Sequence, residues 1–178
     1  NIIFILDKSG SMEGEKISAA RASLRDFVDL LDDRDRIEVI LFSDELITLS
    51  ELSPLGEKRE DLLRRISGII EGGDTRLYDA VQMGYDELQA KGDPNHIRAI
   101  VALTDGNDTA SGIALNQLMN DVGNMSEGGS ATKVFTIAFG NNADRDVLQR
   151  IAESTGAKQY DSDPTTIQQV YAEIATFF

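Results

Sequence analysis

Two apolar segments, each followed by an aspartate, most strongly constrain how this chain folds. Residues 2–6 precede Asp7, and residues 100–104 precede Asp105. Short apolar runs that stop at turn residues are typical of strands buried on both faces, as in a parallel sheet. Ligands of open α/β sheets bind beyond the carboxyl ends of the strands, where the strand order reverses. If these two strands flank that point, the two carboxylates converge there.

Helical patterns alternate with the strands along the whole chain. Apolar spacing predicts helices within residues 17–31, 62–70, 77–88, 115–125, 147–152 and 167–178, and strands at 36–42, 46–49, 133–139 and 158–160. The pairs Gly72-Gly73 and Gly128-Gly129 are interpreted as loops. The short link over residues 43–45 makes the strand that follows it an antiparallel edge strand. The alternation predicts an α/β fold with a mostly parallel sheet.

Length and composition exclude several classes of function. The 178 residues suffice for one domain with its own core, and no cysteine is present for disulfides or thiolate metal sites. The net charge of −14 disfavours nucleic acid and anionic membranes as partners. The apolar runs are shorter than the ~20 residues of a membrane helix, so we expect no membrane insertion by this domain. Because the sequence opens on a core strand without Met, we expect residues 1–178 to be a single domain cut from a longer protein.

Oxygen-bearing side chains follow the two predicted strand ends. An Asp-x-Ser-x-Ser sequence contributes Asp7, Ser9 and Ser11, a Gly-Gly-Asp-Thr turn contributes Thr75, and Asp105 follows the second strand. Magnesium prefers such donors, about six oxygens at roughly 2.0–2.1 Å, some of them from water. Two carboxylates balance the charge of a dication and hydroxyls donate weakly, so the metal could still accept a carboxylate from a partner.

These five positions, with the segments at residues 74–80 and 103–106, resemble the von Willebrand factor type A domain and its metal-ion-dependent adhesion site, in the form common in bacterial members. The resemblance covers the whole chain, and all five ligand positions of the site are matched. It implies a Rossmann-like, three-layer fold with a six-stranded sheet of order 3-2-1-4-5-6 and an antiparallel third strand. It also implies a bound divalent cation, Mg²⁺ first, with Mn²⁺ or Ca²⁺ as alternatives.

The resemblance further implies individual roles for the site residues. Ser9 and Ser11 would ligate the metal directly, Thr75 and Asp105 would exchange between direct and water-mediated contact, and Asp7 would act largely through water. In adhesive members of the family, opening of the site is coupled to a shift of the last helix, here the one within residues 167–178. What is usual in the family also favours an extracytoplasmic protein, or one anchored to a membrane through flanking regions.

A simpler interpretation exists for each motif taken alone. Asp and Ser commonly form turns and helix caps, so Asp-x-Ser-x-Ser by itself would be weak, whereas five matching positions favour a metal site. Asp74 and Asp79, beside Thr75, are better explained by helix capping and by charge in the first turn of a helix. The chain contains no glycine-rich nucleotide-binding motif.

Three functions compete. The preferred one is a non-enzymatic, adhesion-type module in which the bound cation captures an Asp or Glu side chain of a protein partner. The alternative is a docking domain of a multisubunit machine, such as a chelatase with an ATPase partner. A magnesium-dependent phosphoesterase is less well supported, because phosphatases of the haloacid dehalogenase type need a second carboxylate where this chain has Ser9.

Overall fold

The centre of the fold is a pair of parallel strands that the sequence separates by more than ninety residues. The computed structural model describes residues 1–123 and 132–177. In that part of the chain the strands are β1 (Ile2–Asp7), β2 (Arg36–Phe42), β3 (Leu46–Pro54), β4 (Ala99–Thr104), β5 (Lys133–Phe139) and β6 (Gln159–Ser162). The helices are α1 (Glu15–Leu30), α2 (Arg59–Ser67), α3 (Leu77–Lys91), α4 (Leu115–Gly123), α5 (Arg145–Ser154) and α6 (Ile167–Ala175).

The six strands form one sheet in the order β3-β2-β1-β4-β5-β6. Phe4 of β1 pairs with Val39 on one side and with Val101 on the other, and both pairings are parallel. Only β3 among the described strands runs antiparallel, beside β2 at the edge of the sheet. The predicted fold, a mostly parallel Rossmann-like sheet with one antiparallel edge strand, is therefore confirmed.

Alternate residues of the central strands point into two separate cores. Phe4 and Leu6 belong to the core covered by α1, α2 and α6, whereas Ile3 and Ile5 belong to the core covered by α3, α4 and α5. This arrangement explains why β1 is apolar at every position before Asp7: both of its faces are covered by helices. Helices on both faces complete the three layers.

An aromatic cluster joins the last helix to the central strand. The ring centroid of Phe4 lies 4.6 Å from that of Phe27 in α1 and 5.6 Å from that of Tyr171 in α6, both in edge-to-face geometry. Phe27 and Tyr171 also meet edge to face, at 5.7 Å. Such pairs add directional preference to the burial of apolar surface, so α6 is fixed relative to both β1 and α1.

Some predicted boundaries were wrong. We expected the helix of residues 62–70 to run to Gly72, but α2 ends at Ser67, where Gly68 donates its N–H to the Arg65 carbonyl. Ile69 is buried beyond the helix, and Ile70 is 76% exposed. The apolar spacing was correct up to Ile66, but the pattern could not show that Ile70 belongs to a loop.

The end of the edge strand also differs from the prediction. β3 extends to Pro54, five residues beyond the predicted end, because its pairing with β2 continues past a register shift. Met125, Gly128 and Gly129, which we assigned to the end of a helix and a loop, lie outside the described residues. Along residues 1–123 and 132–177, no helix has both the length and the apolar character needed to cross a membrane.

Glu38 is a charged residue inside an apolar strand. It pairs with Ile3 across β1 and β2 and is only 2% exposed, and its Oε2 has no hydrogen-bond partner among the described residues. Burial, reinforced by the negative charge of Glu87, raises the pKa of the Glu38 carboxyl to about 7. In the unfolded chain the same carboxyl ionises near 4.5.

We therefore expect Glu38 to make the fold less stable as the pH rises. The folded state binds more protons than the unfolded state between pH 4.5 and about 7, so the free energy of unfolding falls by about 2 kcal/mol over this range and then levels off. Urea unfolding at several pH values measures the fall. Glu38→Gln should remove that part of the slope, whereas Glu57→Gln, at an exposed position, should keep it. Identical slopes in wild type and Glu38→Gln would contradict the assignment.

Candidate metal centre

The structure places Asp7 and Asp105 side by side at the carboxyl edge of the sheet. Leu6 of β1 pairs with Leu103 of β4, so the chain leaves both strands at the same level. Both carboxylates are fully buried, with no exposed surface. Two adjacent buried carboxylates destabilise the folded state unless hydrogen bonds and positive charges offset their desolvation and mutual repulsion.

Hydrogen bonds hold Asp7 from both sides. Its Oδ1 accepts the backbone N–H of Ser9 at 2.8 Å, and its Oδ2 accepts the hydroxyl of Thr104 at 2.5 Å. Burial raises the pKa of the Asp7 carboxyl, while the hydrogen bonds from Ser9 and Thr104 act in the opposite direction. Asp7 is thus a rigid acceptor that organises the turn after β1.

That turn directs two serine hydroxyls towards Asp105. A single turn of 3₁₀ helix spans Gly10–Met12, anchored by the fully buried Met12. The hydroxyl oxygens of Ser9 and Ser11 lie 3.0 Å apart, and Ser11 Oγ donates to Asp105 Oδ1 at 2.6 Å. The predicted site residues Ser9, Ser11 and Asp105 therefore form one hydrogen-bonded chain.

Thr75 joins the cluster through the backbone of its loop. The N–H of Gly72 donates to the Lys8 carbonyl at 2.6 Å, and the N–H of Gly10 donates to the Gly73 carbonyl at 3.0 Å. The Thr75 carbonyl in turn accepts the N–H of Thr109 at 2.9 Å, in the segment after β4. The loop of Thr75 is thereby tied to both strand ends, with Thr75 itself 6% exposed.

Two residues at this centre were not predicted. Thr104 fixes Asp7, and the ammonium of Lys16, in the first turn of α1, donates to Asp105 Oδ2 and, at 3.2 Å, to the carbonyl of Ser11. Thr104 was visible as a polar residue at the end of an apolar strand. The contact of Lys16 had no sequence signal, because a lysine after a glycine-rich turn is common on protein surfaces.

The explanation given for Asp79 is correct in part. Asp79 lies in the first turn of α3, as expected, and pairs with Arg76 at 2.6 Å. Burial opposes its ionisation, but hydrogen bonds from Arg76 and from the N–H groups of Gly112 and Ile113 lower the pKa of Asp79 overall. It thus connects α3 to the segment before α4. Asp74 does not cap α3, whose N-cap residue is Arg76.

The donor set at this edge is rich in hydroxyls and poor in charged groups. Among the residues that the structure describes, no three or more His, Cys, Asp and Glu side chains are grouped so that they could hold a metal ion. A cation at the carboxyl edge would therefore depend on the two carboxylates and on neutral oxygens. This composition suits a hard cation such as Mg²⁺ better than a soft one.

The fold and this cluster define a class: an α/β domain with one polar centre at the switch point between β1 and β4. Residues 1–173 match the family model of the von Willebrand factor type A domain, and the chain belongs to that family. Domains of this family are generally metal-dependent protein-interaction modules that bind a divalent cation at a metal-ion-dependent adhesion site.

Known relatives agree with this assignment. Human (Homo sapiens) inter-alpha-trypsin inhibitor heavy chain H4 is 28% identical over 187 residues, covering 98% of this chain and 20% of that protein. A von Willebrand factor type A structure from Catenulispora acidiphila has a TM-score of 0.85 at 19% identity, covering 98% of this chain and 41% of that one. This chain thus spans about a fifth of the human relative.

Another protein with the same fold is described with a metal. The structure of proximal thread matrix protein 1 from the mussel byssus has zinc in its metal-ion-dependent adhesion site (MIDAS) motif. It has a TM-score of 0.76 at 16% identity, covering 99% of this chain and 44% of that one. At this identity, as for the Catenulispora structure, the likeness shows a shared fold. The zinc is a property of the mussel protein.

Gly73 is the position where the loop of Thr75 tolerates change least. Its φ is +92°, and a Cβ at this position would lie 1.9 Å from Asp44 Oδ1 and 3.0 Å from the Cβ of Ser43. Gly14 also has a positive φ, +81°, but a Cβ there would meet nothing within 4 Å. The two glycines share a positive φ and differ in the space available to an added Cβ.

We expect Gly73→Ala to destabilise the fold more than Gly14→Ala. Both variants incur the strain of a positive φ, about 1–3 kcal/mol, and Gly73→Ala adds about 1–3 kcal/mol for the crowding against Asp44 and Ser43. Urea unfolding of the two variants beside the wild type gives the difference. Equal losses of stability would mean that the Asp44 side chain moves aside freely and that Gly73 does not fix the loop.

Proposed function

We propose that this chain is a non-enzymatic protein-binding module whose affinity for a partner depends on a divalent cation held by Asp7, Ser9, Ser11, Thr75 and Asp105, a complete metal-ion-dependent adhesion site. The observation that carries the proposal is the hydrogen-bonded chain from Asp7 through Ser9 and Ser11 to Asp105. It brings two buried carboxylates and two hydroxyls from separate segments to one point. Mg²⁺ is the proposed cation, with Mn²⁺ or Ca²⁺ as alternatives.

The residues present fit such a cation. All proposed ligands are oxygens, and the two fully buried carboxylates require more positive charge than their neighbourhood supplies, since Lys16 is the one cationic side chain in contact with either of them among the described residues. A bound dication would supply that charge and act as a Lewis acid toward an incoming oxygen. Ser9, Ser11 and Thr75 contribute no charge, so the cation would keep an affinity for one more carboxylate.

The partner group we propose is the Asp or Glu side chain of another protein. One exposed apolar residue supports a protein partner: Ile70, two residues before Gly72 in the loop that is tied to the residues after β1, exposes 76% of its surface. An exposed apolar side chain in the same loop as Thr75 suits a contact that combines apolar burial with one central ionic bond. We propose no nucleic-acid partner and no membrane insertion.

Catalysis by Asp7 is disfavoured by its surroundings. As a nucleophile in phosphoryl transfer it would need an accessible oxygen, yet it is fully buried and both its oxygens accept hydrogen bonds, from Ser9 and Thr104. Ser9 also stands where a second carboxylate would be needed. The human relative named above is a heavy chain of a trypsin inhibitor, which agrees with a non-enzymatic role.

We propose that residues 1–178 form one domain of a longer, bacterial-type protein, whose other regions determine where it is placed. The runner-up function, docking onto an ATPase partner, would use the same centre. A partner protein with an acidic loop would fit either function, so binding of such a loop does not distinguish them. The metal centre itself is what an experiment has to test.

We expect Mg²⁺ or Mn²⁺ to raise the melting temperature relative to a chelator. A ligand of the native state at about a hundredfold excess over Kd stabilises it by about 2.7 kcal/mol, which corresponds to about 5–10 °C for a domain of this size. Asp105→Asn and Thr75→Val should reduce or abolish the rise. Asp29→Asn, the same change of charge at an exposed position of α1, should preserve it. No rise in the wild type with Mg²⁺, Mn²⁺ or Ca²⁺ would contradict the proposed site.

Capture of a carboxylate can be tested without knowing the natural partner. Peptides selected from a random display library on the Mg²⁺-loaded domain should be enriched in Asp or Glu, and their binding should be lost in chelator. Replacing the selected Asp by Asn should weaken binding at least about tenfold, about 1.4 kcal/mol. A parallel selection on Asp105→Asn is the control. Peptides without acidic residues, or with equal affinity in chelator, would argue against capture through the cation.

A further inference from the structure

Within residues 1–123 and 132–177, Lys16 makes the one charged contact of Asp105. Its ammonium donates to Asp105 Oδ2 and to the Ser11 carbonyl, the latter at 3.2 Å. The carboxylate is fully buried, whereas the Lys16 side chain is 29% exposed. The stem of Lys16 passes Gly140 at the end of β5, where a Cβ would lie 3.7 Å from Lys16 Cε. The lysine thus reaches from α1 across the strand ends into the centre.

The two hydrogen-bond donors of Asp105 differ in whether they can also become metal ligands. Its Oδ1 accepts the Ser11 hydroxyl at 2.6 Å, and a hydroxyl is neutral and has lone pairs that can serve a metal. Its Oδ2 accepts the ammonium of Lys16, which has three donors and no lone pair. An ammonium therefore cannot become a metal ligand. In a buried setting its positive charge also strongly repels a divalent cation placed beside Asp105.

We propose that Lys16 is a built-in competitor of the divalent cation, an ammonium that must leave Asp105 before a metal is bound at full strength. This inference rests on the proposed function of the same centre. The four-carbon stem and the partial exposure of Lys16 give the ammonium a route to solvent. Lys16 therefore lowers the affinity of the site for metal and keeps Asp105 paired when metal is scarce.

The role differs from that of a residue that merely holds the fold together. A purely structural lysine would position Asp105 for the metal, so its removal would weaken metal binding or leave it unchanged. A competitor gives the opposite sign, because the metal no longer has to displace an ammonium. The sign of the change in Kd separates the two roles.

The test is isothermal titration calorimetry of Mg²⁺ and of Mn²⁺ into the wild type and into Lys16→Gln, at one pH and one ionic strength. We expect Lys16→Gln to bind at least about tenfold more tightly. Lys16→Met, which also lacks the charge, should behave in the same way, and Lys16→Arg, which keeps it, should bind as weakly as the wild type. Lys158→Gln is the matched control, since Lys158, just before β6, pairs with Glu173 of α6 and not with any residue of the centre.

A second readout follows the ammonium itself. The rate of acetylation of Lys16, measured by mass spectrometry in the wild type, should rise when Mg²⁺ is added at constant ionic strength, while that of Lys158 stays the same. This measurement does not require a variant to fold. A rate that is unchanged or lower in metal-saturated protein would show that Lys16 remains on Asp105, which overturns the proposal.

The outcomes separate this inference from the function on which it rests. Tighter binding by Lys16→Gln and Lys16→Met supports both. Metal binding that is equal or weaker in these folded variants overturns the role of Lys16 and leaves the metal site in place. If neither the wild type nor Lys16→Gln binds Mg²⁺ or Mn²⁺ at millimolar concentrations, the proposed function fails, and the inference fails with it.

Discussion

The parallel pairing of β1 with β4 is the interaction on which the rest of the structure depends. It joins segments 97 residues apart in register, from Ile2 opposite Ala99 to Leu6 opposite Leu103. Because both strands are covered on both faces, a slip of one residue would exchange the two cores, which the close packing of each face opposes. The position of Asp7 beside Thr104 and Asp105 is therefore set by the packing of apolar residues several positions away.

Much of the fold could be predicted from the sequence because the relevant signals are local. Continuous apolar runs marked β1 and β4, and the short link over residues 43–45 marked β3 as an edge strand. The order of the strands is a different matter: it came from the resemblance to a family, since local patterns do not state which strands are neighbours. The end of α2 was misplaced because Ile69 and Ile70 continue the helical spacing although only Ile69 is buried.

The candidate centre was predictable as a set of residues and not as a network. Asp7, Ser9, Ser11, Thr75 and Asp105 could be named because their motif occurs in fixed order. The bond from Thr104 to Asp7 depends on strand register, and the bond from Lys16 to Asp105 depends on how far a flexible stem reaches from α1. Both are products of the assembled fold, which a pattern along the chain does not encode.

The edge-to-face rings of Phe4, Phe27 and Tyr171 have a consequence for how the last helix can move. Phe4 lies three residues before Asp7 on the same strand, and Tyr171 is almost fully buried against it. The Tyr171 ring packs against two other rings, so a small shift of α6 along its axis would lose van der Waals contacts with both of them. Any displacement of α6 would therefore break the contacts of Tyr171 with Phe4 of β1 and with Phe27 of α1 at the same time.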